Sequence, residues 1–117
     1  MPKTAIVCSG CEPSQLFPTF VFAASAAALG DEVLVFCCPA AAPAMLKGQL
    51  ENMQVEGMPP MADLLSSFDA AGGRIMVCEL ALEAKELTVA DLREGVEVVG
   101  VTAFLVESAD ASRTFCF

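Results

Sequence analysis

The sequence contains no histidine, and this absence removes several kinds of chemistry at once. Histidine is the usual general base near neutral pH and the commonest metal ligand. Ser–His and Cys–His nucleophilic catalysis and histidine-based metal sites are therefore excluded. A zinc site would have to use thiolates and carboxylates, and the C-x-x-C motif of Cys8 and Cys11 has no second such motif to complete four ligands. We expect no metal site and no cofactor.

Positive charge and long apolar runs are also scarce. Six Lys and Arg residues stand against 15 Asp and Glu residues, which gives a net charge of -9. This charge repels phosphate backbones and anionic lipid headgroups, so we expect no nucleic acid and no membrane among the partners. The most apolar stretch, residues 16–29, is shorter than the roughly 20 residues of a spanning helix. The amino terminus does not resemble a signal peptide, so we predict a cytoplasmic protein.

What the chain has is apolar sequence and cysteine. Its 117 residues suit one domain, so we predict a single domain over residues 1–117. Hydrophobic residues make up 56% of the chain although Trp and Tyr are absent. A small monomer needs less apolar material than this, which indicates burial between subunits of a homo-oligomer. With no export signal and enough sequence for a core, the six cysteines are expected to be reduced.

Short apolar runs alternate with helix-forming segments along the chain. We predict strands at 4–8, 32–38, 73–78, 96–99 and 112–117. The intervening helices are predicted at 13–29, 61–71, 79–87 and 102–109, with weaker helical stretches at 43–52 and 89–93. This alternation predicts an α/β fold, a three-layer α/β/α sandwich with a mostly parallel five-stranded sheet.

Most of the cysteines follow predicted strands, at the sheet edge where parallel sheets gather ligands and reactive groups. Cys78 is the leading candidate nucleophile, because it ends a buried strand and a helix-forming run begins at Glu79. Unpaired N–H groups and the positive end of a helix favour thiolate over thiol. The alternative is that Cys78 is a small buried hydrophobe, the usual fate of a free cysteine. Position alone leaves both interpretations open.

The other thiols carry weaker signals. Cys8 and Cys11 have the spacing of a redox motif, but Glu12 and Pro13 intervene before the helix, so a dithiol and a pair of reduced turn cysteines both remain open. The neighbours Cys37 and Cys38 point to opposite faces of an extended strand and are assigned to core packing. We expect strand 73–78 to lie directly beside strand 4–8. Cys8 and Cys11 are therefore the predicted accessory thiols of Cys78.

Two sequence blocks carry a resemblance to a known family. They are residues 77–82, Val-Cys-Glu-Leu-Ala-Leu, and residues 92–101, which begin Leu-Arg-Glu-Gly. Weaker support comes from the helix end at 23–30 with its following strand, and from Gly-Met-Pro at 57–59. Over nearly its whole length the chain resembles the small DsrE/DsrF-like proteins, which are sulfur-relay components also described as peroxiredoxin-like.

The resemblance implies a function. In that family the cysteine that matches Cys78 carries sulfur as a persulfide, and the proteins form homo-oligomers, commonly trimers or multiples of them. It also implies exchange of sulfur with TusA-like or rhodanese-like proteins. Three functions stay open: a sulfur carrier or sulfurtransferase-type relay protein using Cys78; a thiol-disulfide or peroxide-linked redox protein using Cys78 with Cys8 or Cys11; and a non-catalytic oligomeric binding protein.

Overall fold

A computed structural model describes residues 2–117 and contains one sheet built from parallel strands. The sheet order is β4-β3-β2-β1-β5, and every neighbouring pair is parallel. The strands are β1 (Lys3–Cys8), β2 (Glu32–Cys37), β3 (Arg74–Cys78), β4 (Glu97–Val99) and β5 (Arg113–Cys116). The predicted fold class, an α/β sandwich around a five-stranded parallel sheet, is confirmed.

The helices lie between these strands, as the alternation predicted. They are α1 (Pro13–Ala28), α2 (Met61–Ala70), α3 (Leu80–Ala84) and α4 (Val101–Glu107). The weaker stretches form short 3₁₀ turns instead of α-helix, at Pro39–Met45, Leu50–Asn52 and Val89–Asp91. Pro43 lies inside the Pro39–Met45 turn, where it removes a backbone hydrogen-bond donor, and Gly48 adopts a positive φ of 80°. A continuous helix over 43–52 therefore cannot form.

Helix α3 is shorter than the predicted helix over 79–87, and its end explains why. Glu86 has a φ of 53°, in the left-handed region. The amide of Leu87 donates to the carbonyl of Leu82 at 2.8 Å, and the amide of Glu86 donates to the carbonyl of Glu83 at 3.3 Å. This is the hydrogen-bond pattern with which helices commonly stop, usually at a glycine. Because a glutamate occupies the position here, no glycine marks this helix end in the sequence.

The direction of the crossovers decides which face each helix covers. Strands β1, β2, β3 and β4 follow one another across the sheet in chain order. Right-handed connections therefore place α1, α2 and α3 on one face of the sheet. The connection from β4 to β5 runs back across the sheet and places α4 on the other face. The expectation that strand 73–78 lies beside strand 4–8 is wrong, because each crossover adds its strand outward and leaves β2 between β1 and β3.

The two faces are buried to different extents. On the face of α1 and α2, a large core cluster includes the edge-to-face rings of Phe20 and Phe68, with centroids 5.8 Å apart. On the other face a small cluster is covered by α4 alone, through Phe104. Its members are Ala5, Leu34, Phe36, Met76, Cys78 and Phe104. Within residues 2–117, no helix has the length and apolar character needed to cross a bilayer.

Candidate functional site

Cys78 lies at the point where neighbouring strands send their connections to opposite faces of the sheet. It is the last residue of β3 and pairs with Val99, the last residue of β4. The chain then continues into α3 on one face after Cys78 and into α4 on the other face after Val99. In open parallel sheets, such diverging connections leave a crevice beyond the carboxyl ends of the strands, and ligands bind there.

The surroundings of Cys78 are apolar. The residue is only 1% exposed and belongs to the small cluster beneath Phe104. The amide of Glu79 donates to the carbonyl of Val99 at 2.9 Å, which joins the two strand ends. The Glu79 carboxylate lies beside Gly100, where an added Cβ would stand 3.1 Å from Oε1. Cys78 is therefore buried, as expected if it is a small core hydrophobe, and it also lies where parallel sheets carry their reactive groups.

Cys38 is the thiol that the sheet register brings beside Cys78. Cys37 pairs with Val77 across the parallel strands β2 and β3, so the next residues, Cys38 and Cys78, are adjacent at the sheet edge. Cys38 is half-buried and packs against the same small cluster as Cys78. Burial raises the pKa of the Cys38 thiol, and the charges of Cys116 and Cys78 raise it further. Sequence reasoning assigned Cys38 to core packing and missed this neighbour.

Cys116 lies on the same face at the edge of the sheet. It pairs with Val7, whose side chain packs on the small cluster, and it is exposed. Exposure therefore increases from Cys78 through Cys38 to Cys116. Along each strand, alternate residues point to opposite faces of the sheet, and this alternation was the sequence signal for which thiols share a face. The signal becomes useful only when the order and register of the strands are known.

The predicted accessory thiols lie elsewhere. Cys8 is fully buried in the large cluster on the opposite face, where its Sγ donates to the carbonyl of Gly10 at 3.2 Å. Its register partner there is Cys37, and burial strongly raises the pKa of the Cys37 thiol. Cys11 is exposed in the loop between β1 and α1. The sheet and strand β2 separate Cys8 from Cys78, so the structure does not bring this pair together.

The structure also describes the possible metal ligands. Among residues 2–117, no three acidic or cysteine side chains are grouped so that they could hold a metal ion. All six cysteines are free thiols in the described chain. The chemistry that Cys78 and Cys38 offer is exchange at sulfur, at a buried thiol with a second thiol in the same small cluster.

Comparison with known proteins supports the fold and the family. The model of the DsrE/DsrF-like family matches residues 1–117. The chain is similar to the crystal structure of YchN from E. coli, with a TM-score of 0.80, 21% identity and 100% of both chains covered. It is also similar to MTH1491 of Methanobacterium thermoautotrophicum, a protein of unknown function, with a TM-score of 0.75, 15% identity and coverage of 98% and 97%.

A curated relative matches part of the chain. It is the uncharacterized protein MJ0760 of Methanocaldococcus jannaschii, which is 29% identical over 89 residues. The match covers 76% of this chain and 32% of MJ0760, so the chain spans about a third of the length of that relative.

Proposed function

The chain belongs to the DsrE/DsrF-like family, and from this premise we propose that it is a sulfur carrier that holds sulfane sulfur as a persulfide on Cys78. One observation carries the proposal: Cys78 ends β3 at the point where the connections after β3 and β4 diverge. Four of the other cysteines lie on other strands or at their ends, and Cys11 lies in a loop.

The chemistry requires one thiolate and no cofactor. The Cys78 thiolate attacks the outer sulfur of a donor persulfide, a sulfur–sulfur bond forms to Cys78, and the donor thiolate leaves with the electron pair of the broken bond. The same exchange in reverse passes the sulfur to an acceptor thiolate. No net oxidation or reduction occurs in either step, so the protein acts as a sulfurtransferase-type carrier.

Burial of Cys78 fits storage better than open catalysis. With 1% of the residue exposed, a persulfide there would be shielded from small reductants in solution. Loading then requires α4 to move away from the small cluster. Helix α4 has seven residues and buries Phe104, and elements with few buried contacts open at low free-energy cost. We therefore place the entry of donor and acceptor thiols at α4.

The proposed partners follow from the same reasoning. Exposed apolar side chains include Leu105 and Val106 on α4, and on a second surface Phe22 of α1 and Leu29 directly after it, with Leu29 70% exposed. We propose that these surfaces are buried in a homo-oligomer, a trimer or a multiple of it, and in complexes with TusA-like or rhodanese-like proteins. The proposed compartment is the reducing cytoplasm, where thiols stay free.

Intact-protein mass spectrometry after incubation with inorganic polysulfide tests the carrier function. We expect wild type to gain one sulfur atom and Cys78→Ser to gain none while keeping its fold. A Cys8→Ala, Cys11→Ala double variant should load like wild type, because these residues lie on the far face and in a loop. An internal disulfide that forms with no sulfur adduct before it, even at the earliest time sampled, would favour the redox alternative, and no change would favour the binding protein.

A further inference from the structure

Cys38 and Cys78 form a pair that the carrier function does not use. Cys78 ends β3, Cys38 directly follows the adjacent strand β2, and both lie on the face of the sheet that α4 covers. We propose that Cys38 is the resolving thiol of this site: it attacks a persulfide on Cys78, forms a Cys38–Cys78 disulfide and releases the carried sulfur as hydrosulfide. The sulfur step rests on the proposed function, whereas the pairing of the two thiols stands on the geometry alone.

The register between β2 and β3, continued by one residue, predicts a separation of the two Cα atoms that a disulfide can span. Cys37 and Val77 are register partners, so Cys38 and Cys78 follow them side by side on neighbouring strands. Neighbouring strands are about 4.8 Å apart, within the range of roughly 4.4–6.8 Å between bridged Cα atoms. Cys38 lies one residue beyond β2, with φ -65° and ψ 164°, so its backbone is extended but is not part of the ladder with β3.

The remaining thiols are less suited to the role. Cys8 and Cys37 lie in the cluster on the opposite face, so the sheet blocks their approach to Cys78. Cys116 shares the face of Cys78 but lies on β5, with β1 and β2 between β5 and β3. Cys38 alone combines the correct face with an adjacent strand.

The proposed step balances without an added oxidant. The Cys38 thiolate attacks the Cys78 sulfur atom, a new S–S bond joins the two cysteines, and the outer sulfur leaves with the bonding electrons. That sulfur takes up a proton and is released as hydrosulfide. The sulfane sulfur is reduced by two electrons and the two cysteine sulfurs are together oxidised by two.

Two properties of the site favour this direction of attack. Cys78, whose Sγ is the inner sulfur of the persulfide, is held at the end of β3 in the same small cluster against which Cys38 packs. Hydrosulfide is also a better leaving group than a cysteine thiolate that must be released into an apolar cluster, because a less basic sulfur leaves faster. Return to the dithiol state then requires a small dithiol reductant or a thioredoxin-class protein.

The experiment follows sulfide and the disulfide together. Reduced full-length protein is loaded with limiting inorganic polysulfide, freed of excess reagent and sampled over time. Cleavage after Arg74 and Glu79 leaves Cys78 in peptide 75–79, while cleavage after Glu32 and Lys47 leaves Cys37 and Cys38 in peptide 33–47. We expect these two peptides to become linked as one equivalent of sulfide per loaded protein is released.

Matched variants identify the resolving thiol. Cys38→Ser should keep the persulfide on Cys78 and lower the rate of sulfide release by roughly tenfold or more. Cys37→Ala alters the neighbouring residue on the opposite face, and Cys116→Ser alters the exposed thiol on the same face. Both controls should behave like wild type. Release from Cys38→Ser at the wild-type rate, or a link from peptide 75–79 to any other peptide, would overturn the proposal.

A second arm separates this inference from the carrier function. Reduced protein without polysulfide is treated with diamide, which oxidises dithiols directly. Formation of the Cys38–Cys78 disulfide in a protein that never loads sulfur would support the pair and contradict the carrier. Loading of Cys78 with no such disulfide in either arm would support the carrier and contradict the pair.

Discussion

The ring of Phe104 stacks on the ring of Phe36, with centroids 4.7 Å apart and planes inclined by 25°. Phe104 is the buried residue of α4, and Phe36 lies on β2 next to the strand that ends in Cys78. The stacked pair therefore holds α4 over the thiol, and its strength should control how often Cys78 becomes accessible.

Substitution Phe104→Leu tests this cover. The smaller side chain leaves part of the small cluster unfilled, which should cost about 1–2 kcal/mol of stability and raise the rate of Cys78 alkylation severalfold. The control is Phe20→Leu, because Phe20 is fully buried on the opposite face against Phe68. Peptide-resolved alkylation kinetics measure both. Equal acceleration in the two variants would mean that global unfolding, rather than movement of α4, exposes Cys78.

The carboxyl end of α4 is fixed by an ion pair that can also be tested. Arg74 on β3 donates to Glu107 on α4 at 2.6 Å and to Glu97 on β4 at 2.8 and 2.9 Å. Its hydrogen bond lowers the pKa of Glu107, so the pair holds above the ordinary carboxyl pKa and is lost as pH falls through the lowered value. Glu107→Gln should accelerate alkylation of Cys78 at neutral pH.

The matched control for that variant is Glu97→Gln, which removes a carboxylate from the same arginine but leaves α4 attached. We expect Glu97→Gln to accelerate alkylation of Cys78 less than Glu107→Gln does. Well below the carboxyl pKa, where Glu107 is protonated, wild type and Glu107→Gln should be alkylated at the same rate. A larger effect from Glu97→Gln would assign the restraint to β4 instead of α4.

Alkaline pH should destabilise the fold through Cys37. The folded chain keeps this thiol protonated because burial raises its pKa. The unfolded chain loses the proton above its ordinary pKa of about 8.5, so the contribution of this thiol to stability is constant below that pH and falls by about 1.4 kcal/mol per pH unit above it. Urea unfolding under reducing conditions measures the free energy of unfolding at each pH. Between about pH 8 and about pH 10, this free energy should fall by about 2 kcal/mol more for wild type than for Cys37→Ala. Identical losses would contradict the burial of this thiol.

Multi-angle light scattering tests the oligomer. We expect a mass three times 12.2 kDa, or a multiple of that trimer, at micromolar concentration. Leu105→Glu places a charge on the exposed apolar surface of α4, where Leu105 is 59% exposed, and should lower the measured mass without unfolding a protomer. A wild-type mass near 12.2 kDa would remove the oligomer from the account.

Local sequence signals were sufficient for the fold class but not for the order of the strands. Short apolar runs alternating with helix-forming segments located all five strands to within one residue at each end. The order β4-β3-β2-β1-β5 depends on the side to which each crossover adds its strand, and no local residue encodes that choice. The early end of the helix at Leu80–Ala84 could not be predicted either, because Glu86 adopts a left-handed conformation that usually requires glycine.

The candidate site was predicted in part. Cys78 was singled out from its position between a strand and a helix, and the structure places it at the diverging connections of β3 and β4. Cys38 was missed because its proximity to Cys78 depends on the register between β2 and β3. The alternation of Cys37 and Cys38 already placed one thiol on each face, but only the strand order shows which face holds Cys78.

Site-resolved mass spectrometry of polysulfide-treated wild-type protein, sampled at the earliest time after loading, is the decisive experiment on whether Cys78 accepts sulfur. Cleavage after Arg74 and Glu79 isolates Cys78 in peptide 75–79, so the sulfur can be assigned without reference to another thiol. We expect this peptide, with its thiol blocked immediately by alkylation, to carry one added sulfur atom. An unmodified peptide 75–79 beside added sulfur on the exposed Cys11 or Cys116 would contradict it.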